Sequence, residues 1–353
     1  MTDWRSSMQQ SFEYYIVDPI TWKDKTLLNN VKKCTIQRDS EVSTLGSATI
    51  DVTESVGECY IRVYLITIQN GLTDKHPLGT FIVQTPSSSF DGKIRSVSMD
   101  AYTPLLELKE NQPPIGYFIP KGSNIMNIAC SLTAEHLRAP VVKTEKDDIL
   151  YFDFISETDD NWLVFISDLL ANAKHIFSLD ELGRVLFSPI QDTASLQPVW
   201  TYDDNNSSIL YPEFDMDHDL YDIPNVVEVI HSTGMTTQYA VAINDDPNSP
   251  ISTVNRGRKI THRITDPKLV GSDPTKREID EYAIRQLSEL STIEYTISYT
   301  HGYCPVRIGD CVRLNYSRAG INGIKAKVIS QTIKCEPGCP VQEKARFTMK
   351  LWR

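Results

Sequence analysis

A short amphipathic helix set between two long strand-rich blocks is the feature that most constrains how this chain folds. In residues 156–173, Trp162, Phe165, Ile166, Leu169, Leu170 and Ala173 recur at helical spacing, which leaves one apolar face that needs a covering surface. The polar run from Ser156 to Asn161 supplies an N-cap and acidic first-turn residues. A turn at Asp180-Glu181-Leu182-Gly183 and a strand at Arg184-Val185-Leu186-Phe187 follow. No catalytic signature sits in or around this unit, so function is expected in the surfaces the chain presents.

A chain of 353 residues has room for two or three domains, each with its own core. With 41% hydrophobic and 23% charged residues, the composition is that of a globular protein rather than a disordered one. No apolar run approaches the roughly 20 residues of a membrane span. The N-terminus lacks a basic region followed by an apolar one, so no signal peptide is expected and synthesis is placed in the cytoplasm. The formal net charge of −11 argues against a coat on nucleic acid, which needs clustered Lys and Arg. It is compatible with plain solubility, or with a passage lined by negative charge through which a polyanion slides without sticking. Seven cysteines in a long cytoplasmic chain disfavour a disulfide framework.

The first block, residues 12–110, reads as five or six strands of a small barrel or sandwich. Ala48, Ile50 and Val52 alternate with polar residues, as in a half-buried strand. Residues 59–69 are apolar on both faces, which predicts burial on both sides, with a partner chain as one candidate cover. Tyr60, Arg62, Tyr64, Ile66 and Ile68 form the face assigned to that partner. Asn70-Gly71 marks a turn, with the next strand expected at 79–84, too far on for a two-residue hairpin. A further strand is expected at 93–102. Breakers at 111–116 close the block. A second module then opens with Ser123 as the cap of a helix carrying Ile125, Ile128, Ala129 and Leu132. The polar loop at 203–208 closes it. The third block is again strand-rich, with strands expected at 226–231, 239–244, 258–264, 293–300, 311–316, 325–334 and 345–352. One helix interrupts it, capped by Asp273 with Pro274 at its first position and a stripe of Ile279, Ala283, Leu287 and Leu290.

Four cysteines fall in the last fifty residues or so: Cys304, Cys311, Cys335 and Cys339. If the 311 and 325–334 strands pair, the two turns between these cysteines meet at one barrel end. Four thiolates there suit a tetrahedral zinc ion or an iron–sulfur cluster. The competing reading is four buried small hydrophobes, and Cys34, Cys59 and Cys130 read as core residues. Asp215, Asp217, His218, Asp219 and Asp222 alternate as cation ligands do, yet a solvated linker fits this run better. The histidines at 76, 136, 175, 231, 262 and 301 are scattered and suggest no triad, and no nucleophile-elbow, zinc-protease or phosphate-loop motif is present. Arg256, Arg258, Lys259, His262 and Arg263 read as a charged strand edge.

The order of blocks, with several short matches, resembles the baseplate hub family of contractile phage tails and phage-tail-like bacteriocins. The matching residues are Gly46-Ser47-Ala48-Thr49-Ile50-Asp51-Val52, Gly79-Thr80-Phe81-Ile82-Val83 and Ser98-Met99-Asp100-Ala101-Tyr102. They continue with the Trp162 helix leading into Leu182-Gly183-Arg184-Val185-Leu186-Phe187. Ile223-Pro224-Asn225-Val226-Val227, the helix from Ala283 to Leu290, and the turn Ile308-Gly309-Asp310 complete them. The resemblance implies a mainly β fold with an α+β insert: a tube-like β-barrel at 1–115, an α/β module at 116–202 and a second tube-like barrel at 203–353. It implies a non-enzymatic homotrimer in the virion tail, assembled in the host cytoplasm. Its two barrels per chain would form a pseudo-sixfold ring joining the tail tube, or a distal tube-initiator protein, to the central spike. The ring would enclose a channel for the tape-measure protein and for DNA that passes without specific binding. Related tail-tip proteins hold iron–sulfur clusters through cysteines. Some relatives carry a fused cell-wall hydrolase, and the chain's end on a strand leads us to expect none here. A cell-wall-degrading enzyme using unmarked carboxylates near 215–222 is the first alternative. A receptor-binding module with Tyr211, Tyr221 and Tyr239 as platforms is the second, although core packing suits those tyrosines better.

Overall fold

A computed structural model describes residues 2–90, 92, 95–232, 237–265, 267 and 274–352, with backbone alone at 85 and 95. The first strands are β1 (Gln9–Val17), β2 (Asp24–Leu27), β3 (Val31–Asp39), β4 (Gly46–Val52), β5 (Tyr60–Gln69), β6 (Leu72–Phe90) and β7 (Arg95–Tyr102). The middle of the chain holds α1 (Leu106–Glu110), β8 (Phe118–Ile119), α2 (Ile125–His136), β9 (Phe154–Ile155), α3 (Trp162–Asn172), β10 (His175–Leu179) and β11 (Val185–Pro189). Next come β12 (Trp200–Asp203), β13 (Leu210–His218), β14 (Val226–Ser232), β15 (Thr237–Ile243), α4 (Thr253–Arg256), β16 (Thr261–Thr265) and α5 (Lys276–Leu290). The chain finishes with β17 (Thr292–Gly302), β18 (Cys311–Tyr316), β19 (Ile321–Lys334) and β20 (Pro340–Lys350). The mainly β architecture with an α/β insert is the one expected.

Strands pair in the order β13-β17-β20-β19-β3-β4-β7-β6-β5-β1-β2, with β12 joined through β18 to β19. The β3–β19 contact, running from Thr35 opposite Lys334 to Asp39 opposite Ser330, joins the beginning of the chain to its end. The chain therefore divides into two compact units that do not follow the three sequence blocks: Met1–Phe214 with Ser298–Ala345, and Asp215–Ile297 with Arg346–Arg353. The reason is physical. A β-ladder binds by register across any sequence distance, so the last strands belong with the first ones.

In the first unit, the core between the strands gathers Ile36, Ile50, Ile61, Val63, Leu65, Leu78, Val97, Met99 and Ile333. A second core joins the α/β module to the other side of β5 through Val17, Trp22, Tyr60 and Ile82. It is filled from the module by α2 and by Trp162, Phe165, Ile166, Leu169, Leu170 and Ala173, the stripe read from the sequence. Asn161 caps α3, its side chain accepting from the Val164 N–H at 3.0 Å. Helix α2 is capped by Asn124, one residue after the expected Ser123, through a 2.9 Å bond from the Asn127 N–H.

Asn70-Gly71 does close a two-residue hairpin, contrary to expectation. Gln69 pairs with Leu72, and both turn residues have positive φ, 52° and 78°. That is the turn whose twist matches paired strands. The polar run Thr73-Asp74-Lys75-His76 concealed that β6 starts at Leu72, immediately after the turn. The strand expected at 93–102 is β7, with Lys93 and Ile94 outside the described residues.

In the second unit, β14 lies between β15 and β16. Helix α5 covers one face, packing Ile279, Ala283 and Leu287 on Val227, Val229, Ala240 and Ala242. A capping box starts the helix: Thr275 accepts from the Glu278 N–H, and the Glu278 carboxylate accepts from the Thr275 N–H at 2.7 Å. Pro274 therefore precedes the cap rather than occupying the first turn, and Asp273 lies outside the described residues.

Candidate functional site

The face of β5 assigned to a partner is covered by the chain itself. Tyr60, Arg62, Tyr64 and Ile66 are buried, and only Ile68 is open, at 40%. Arg62 donates to Thr80 Oγ1 at 2.9 Å, to Asp24 Oδ1 at 2.8 Å and to the Leu182 carbonyl at 3.0 Å. Tyr64 donates to Asp24 Oδ2 at 2.8 Å, and Trp22 Nε1 donates to the same Leu182 carbonyl at 2.7 Å. Gly183, at φ +75°, permits this approach: a Cβ there would lie 2.7 Å from Thr80 Cβ. These residues clamp the α/β module onto the strands. One face of β5 lies in the core between the strands, and most of the other is buried within the chain, at Tyr60, Arg62, Tyr64 and Ile66.

The four C-terminal cysteines do not converge. Cys304 packs beside Tyr202, whose hydroxyl lies 3.3 Å from its sulfur. Cys311 begins β18, its sulfur against the Val312 carbonyl at 3.9 Å. Cys335 lies opposite Cys34 at the end of the β3–β19 ladder, its N–H donating to the Cys34 carbonyl at 3.0 Å. Cys339 is buried in the core of the strands. Hydrogen bonding to Cys335 and burial push the Cys34 thiol up, and burial raises Cys311 and Cys339. Among the described residues, no three His, Cys, Asp or Glu side chains are placed to hold a metal ion. Cys34 is buried as expected, whereas Cys59 and Cys130 are only half-buried.

The structure instead assembles a buried polar cluster that sequence reading missed. Tyr202, Tyr299, His301, Gln331 and Glu343 come from β12, β17, β19 and β20, with Cys304 just beyond β17, and all are buried. Glu343 accepts from the Tyr299 hydroxyl, from Gln331 Nε2 at 2.6 Å and from His301 Nε2 at 3.4 Å. His301 Nδ1 donates to the Gly302 carbonyl at 2.7 Å. Both imidazole nitrogens thus face acceptors, which suits the doubly protonated ring. Burial alone would lower the His301 pKa, but the Glu343 charge together with hydrogen bonding to Cys304 and Glu343 outweighs it and pushes the group up to about 10. Burial would raise Glu343, and His301, Gln331 and Tyr299 reverse that and hold its carboxyl below the usual range. The available signal was alternation: Tyr299 and His301 stand two apart on an inward-facing row, as Glu343 does between Val341 and Ala345.

Cys304, His301 and Glu343 are the residue types of a nucleophile, a base and its orienting acid. Their geometry does not support that use. His301 Nδ1 is 3.9 Å from the Cys304 sulfur and spends its proton on Gly302. An imidazole protonated up to about pH 10 is no general base, and no substrate reaches a fully buried sulfur. Gln331 Oε1 extends the cluster by accepting from Arg38 Nη1 at 3.1 Å, and Glu181 beyond it pairs with Arg307 at 2.5 Å. Arg38, Glu181 and Arg307 line a cavity of about 50 Å³, room for a few waters. A larger groove of about 310 Å³ between the N-terminal segment and Tyr303 has no carboxylate, histidine or cysteine in its lining.

Asp215 and Asp217 lie on β13, a strand rather than a linker, with exposed side chains. His218 stacks on Tyr295 at 4.7 Å. Tyr211, Tyr221 and Tyr239 are exposed, at 42%, 80% and 48%, rather than packed in a core. The basic run borders the edge strand β16, where Arg263 pairs with Glu228 at 2.7 Å. Arg256 turns back to cap the Ile223 and Leu220 carbonyls. No described helix is long and apolar enough to cross a membrane.

No protein-family model matches the chain, and no curated protein matches its sequence. Solved structures do match its fold. A tail protein from Neisseria meningitidis MC58 superposes with a TM-score of 0.60 at 13% identity, over 97% of this chain and 98% of that one. The 43 kDa tail protein of prophage MuSo2 from Shewanella oneidensis gives 0.57 at 11% identity, over 96% and 98%. A chain of the Francisella PdpA–VgrG complex gives 0.53 at 10% identity, over 98% of this chain and 58% of that one. The chain has the fold of phage tail proteins, as the resemblance implied.

Proposed function

We propose that this protein is a structural component of a phage-type tail baseplate, acting as the hub between tail tube and central spike. The observation that carries the reading is end-to-end likeness of fold to two tail proteins of nearly equal length, at 97% and 96% coverage of this chain. The likeness to a chain solved with VgrG supports a spike as one neighbour. Functional constellations in the described residues are consistent with a scaffold: the one Cys-His-Glu grouping is sealed and internally satisfied. In this reading the chain is a homotrimer whose strand-rich parts form a ring around a channel for tape measure and DNA. It works in the virion tail, and the net charge of −11 keeps the passing polyanion from binding. The buried cysteines serve as small packing residues.

Native mass spectrometry of the purified chain over a range of concentrations tests the assembly. A trimer at micromolar protein supports the ring. A strict monomer that also fails to join purified spike protein rejects it. Clearing of peptidoglycan by the purified chain would instead favour the cell-wall enzyme.

A further inference from the structure

The α/β module carries an apolar surface that the internal packing does not use. Residues 115–125 and 148–156 run antiparallel: Phe118 pairs with Ile155, Asn124 bridges Ile149, and the Leu150 N–H reaches the Ser123 carbonyl at 3.0 Å. This ribbon has two apolar faces. Ile119, Leu150 and Phe154 pack inward on the module core, Phe154 lying 5.0 Å from Phe165. Outward stand Ile115 at 99% exposure, Phe118 at 57%, Ile149 at 47%, Tyr151 at 74%, Phe152 at 81% and Ile155 at 62%. Six large apolar side chains open to water on one short ribbon are not accounted for by scattered surface hydrophobes, and they mark a contact surface.

Charge identifies the occupant. Residues 143–160 hold seven carboxylates (Glu145, Asp147, Asp148, Asp153, Glu157, Asp159, Asp160) against Lys143 and Lys146. Lys146 is already paired with Asp148 at 2.9 Å. We infer that this ribbon docks a segment of another protein that carries aromatic or aliphatic side chains flanked by Lys and Arg. A second copy of the same patch would bring like charges together across a two-fold contact, which disfavours self-pairing. The apolar side chains supply the desolvated centre of the contact and the carboxylates its rim, where opposite charge selects the partner.

A photocrosslinking phenylalanine analogue placed at Phe152 of the full chain, irradiated in cells that produce the protein, tests this. The expected product is an adduct with one other protein, on a peptide with Lys or Arg beside apolar residues. Glu145→Lys with Asp147→Lys should lower adduct yield at least fivefold with no change in melting temperature, since both side chains are exposed. An adduct on a second copy of this chain, on an acidic peptide, on lipid or glycan, or no protein adduct would overturn the inference. So would a yield indifferent to the charge reversal. Recovery of the chain in purified tail particles is scored separately, so failure of the hub reading remains distinguishable from failure of this one.

Discussion

Replacing Glu343 by Leu tests whether the buried cluster holds the strands of the first unit together. The change removes the acceptor of four donors, the Tyr299 and Tyr202 hydroxyls, Gln331 Nε2 and His301 Nε2. His301 can shed its proton and the Tyr202 hydroxyl keeps the Cys304 sulfur at 3.3 Å, but Tyr299 and Gln331 lose a partner at roughly 1–3 kcal/mol each. Breaking a buried ion pair from one side costs roughly 3–5 kcal/mol in other proteins, so a loss of about 4 kcal/mol is expected. Removing the cation as well, in Glu343→Leu with His301→Leu, leaves no unpaired charge. The double variant should be less damaged than the sum of the single changes, by at least about 1 kcal/mol. Urea titration measures the loss, and hydrogen exchange on peptides from β17 and β20 localises it. The pH dependence follows from the two shifts. The contribution of His301, whose pKa rises from 6.5 to about 10, is complete below pH 6.5 and lost as pH climbs toward 10. That of Glu343, lowered from 4.5, is complete above pH 4.5 and lost as pH falls. The gap between wild type and Glu343→Leu should therefore be widest between pH 4.5 and 6.5. A loss below about 1 kcal/mol, or strictly additive single changes, would refute a coupled ion pair.

Gly183→Val should destabilise the clamp between module and strands by about 1–3 kcal/mol from backbone strain alone, more with the clash on Thr80, and lower the melting temperature. Tyr64→Asp and Ile66→Asp should lower soluble yield and melting temperature rather than leave a folded monomer, because both side chains are internal; a folded variant that only fails to assemble would restore the interface reading of β5. Arg62→Leu should cost about 2 kcal/mol by stripping partners from Asp24 and the Leu182 carbonyl, read by urea titration. Protein purified without oxygen should hold well under one equivalent of zinc or iron, unchanged in Cys304→Ser and Cys311→Ser; a full equivalent lost in either variant would contradict the packing role of the cysteines.

Local pattern carried the helices well. The stripe from Trp162 to Ala173 is the buried face of α3, and Ile279, Ala283 and Leu287 are that of α5. Strand existence was legible wherever apolar residues alternated, as at Ala48, Ile50 and Val52. Partner choice was not. The pattern of β5 is the same whether its second face meets another chain or Trp22 and the module, so burial was readable and its agent was not. The four cysteines fell near one another in sequence, but ladder register sends Cys335 to Cys34 and leaves Cys304 with Tyr202. The His301–Glu343 pair spans 42 residues, and Tyr202 lies a further 99 residues before His301, so no local window contains the cluster.

Cryo-electron microscopy of intact tail particles tests the central claim most directly. The account expects three copies of this chain in a closed ring at the tube–spike junction, with the ribbon bearing Tyr151 and Phe152 against a neighbouring protein. Density for the chain as single copies on a fibre, or particles complete without it, would contradict that claim.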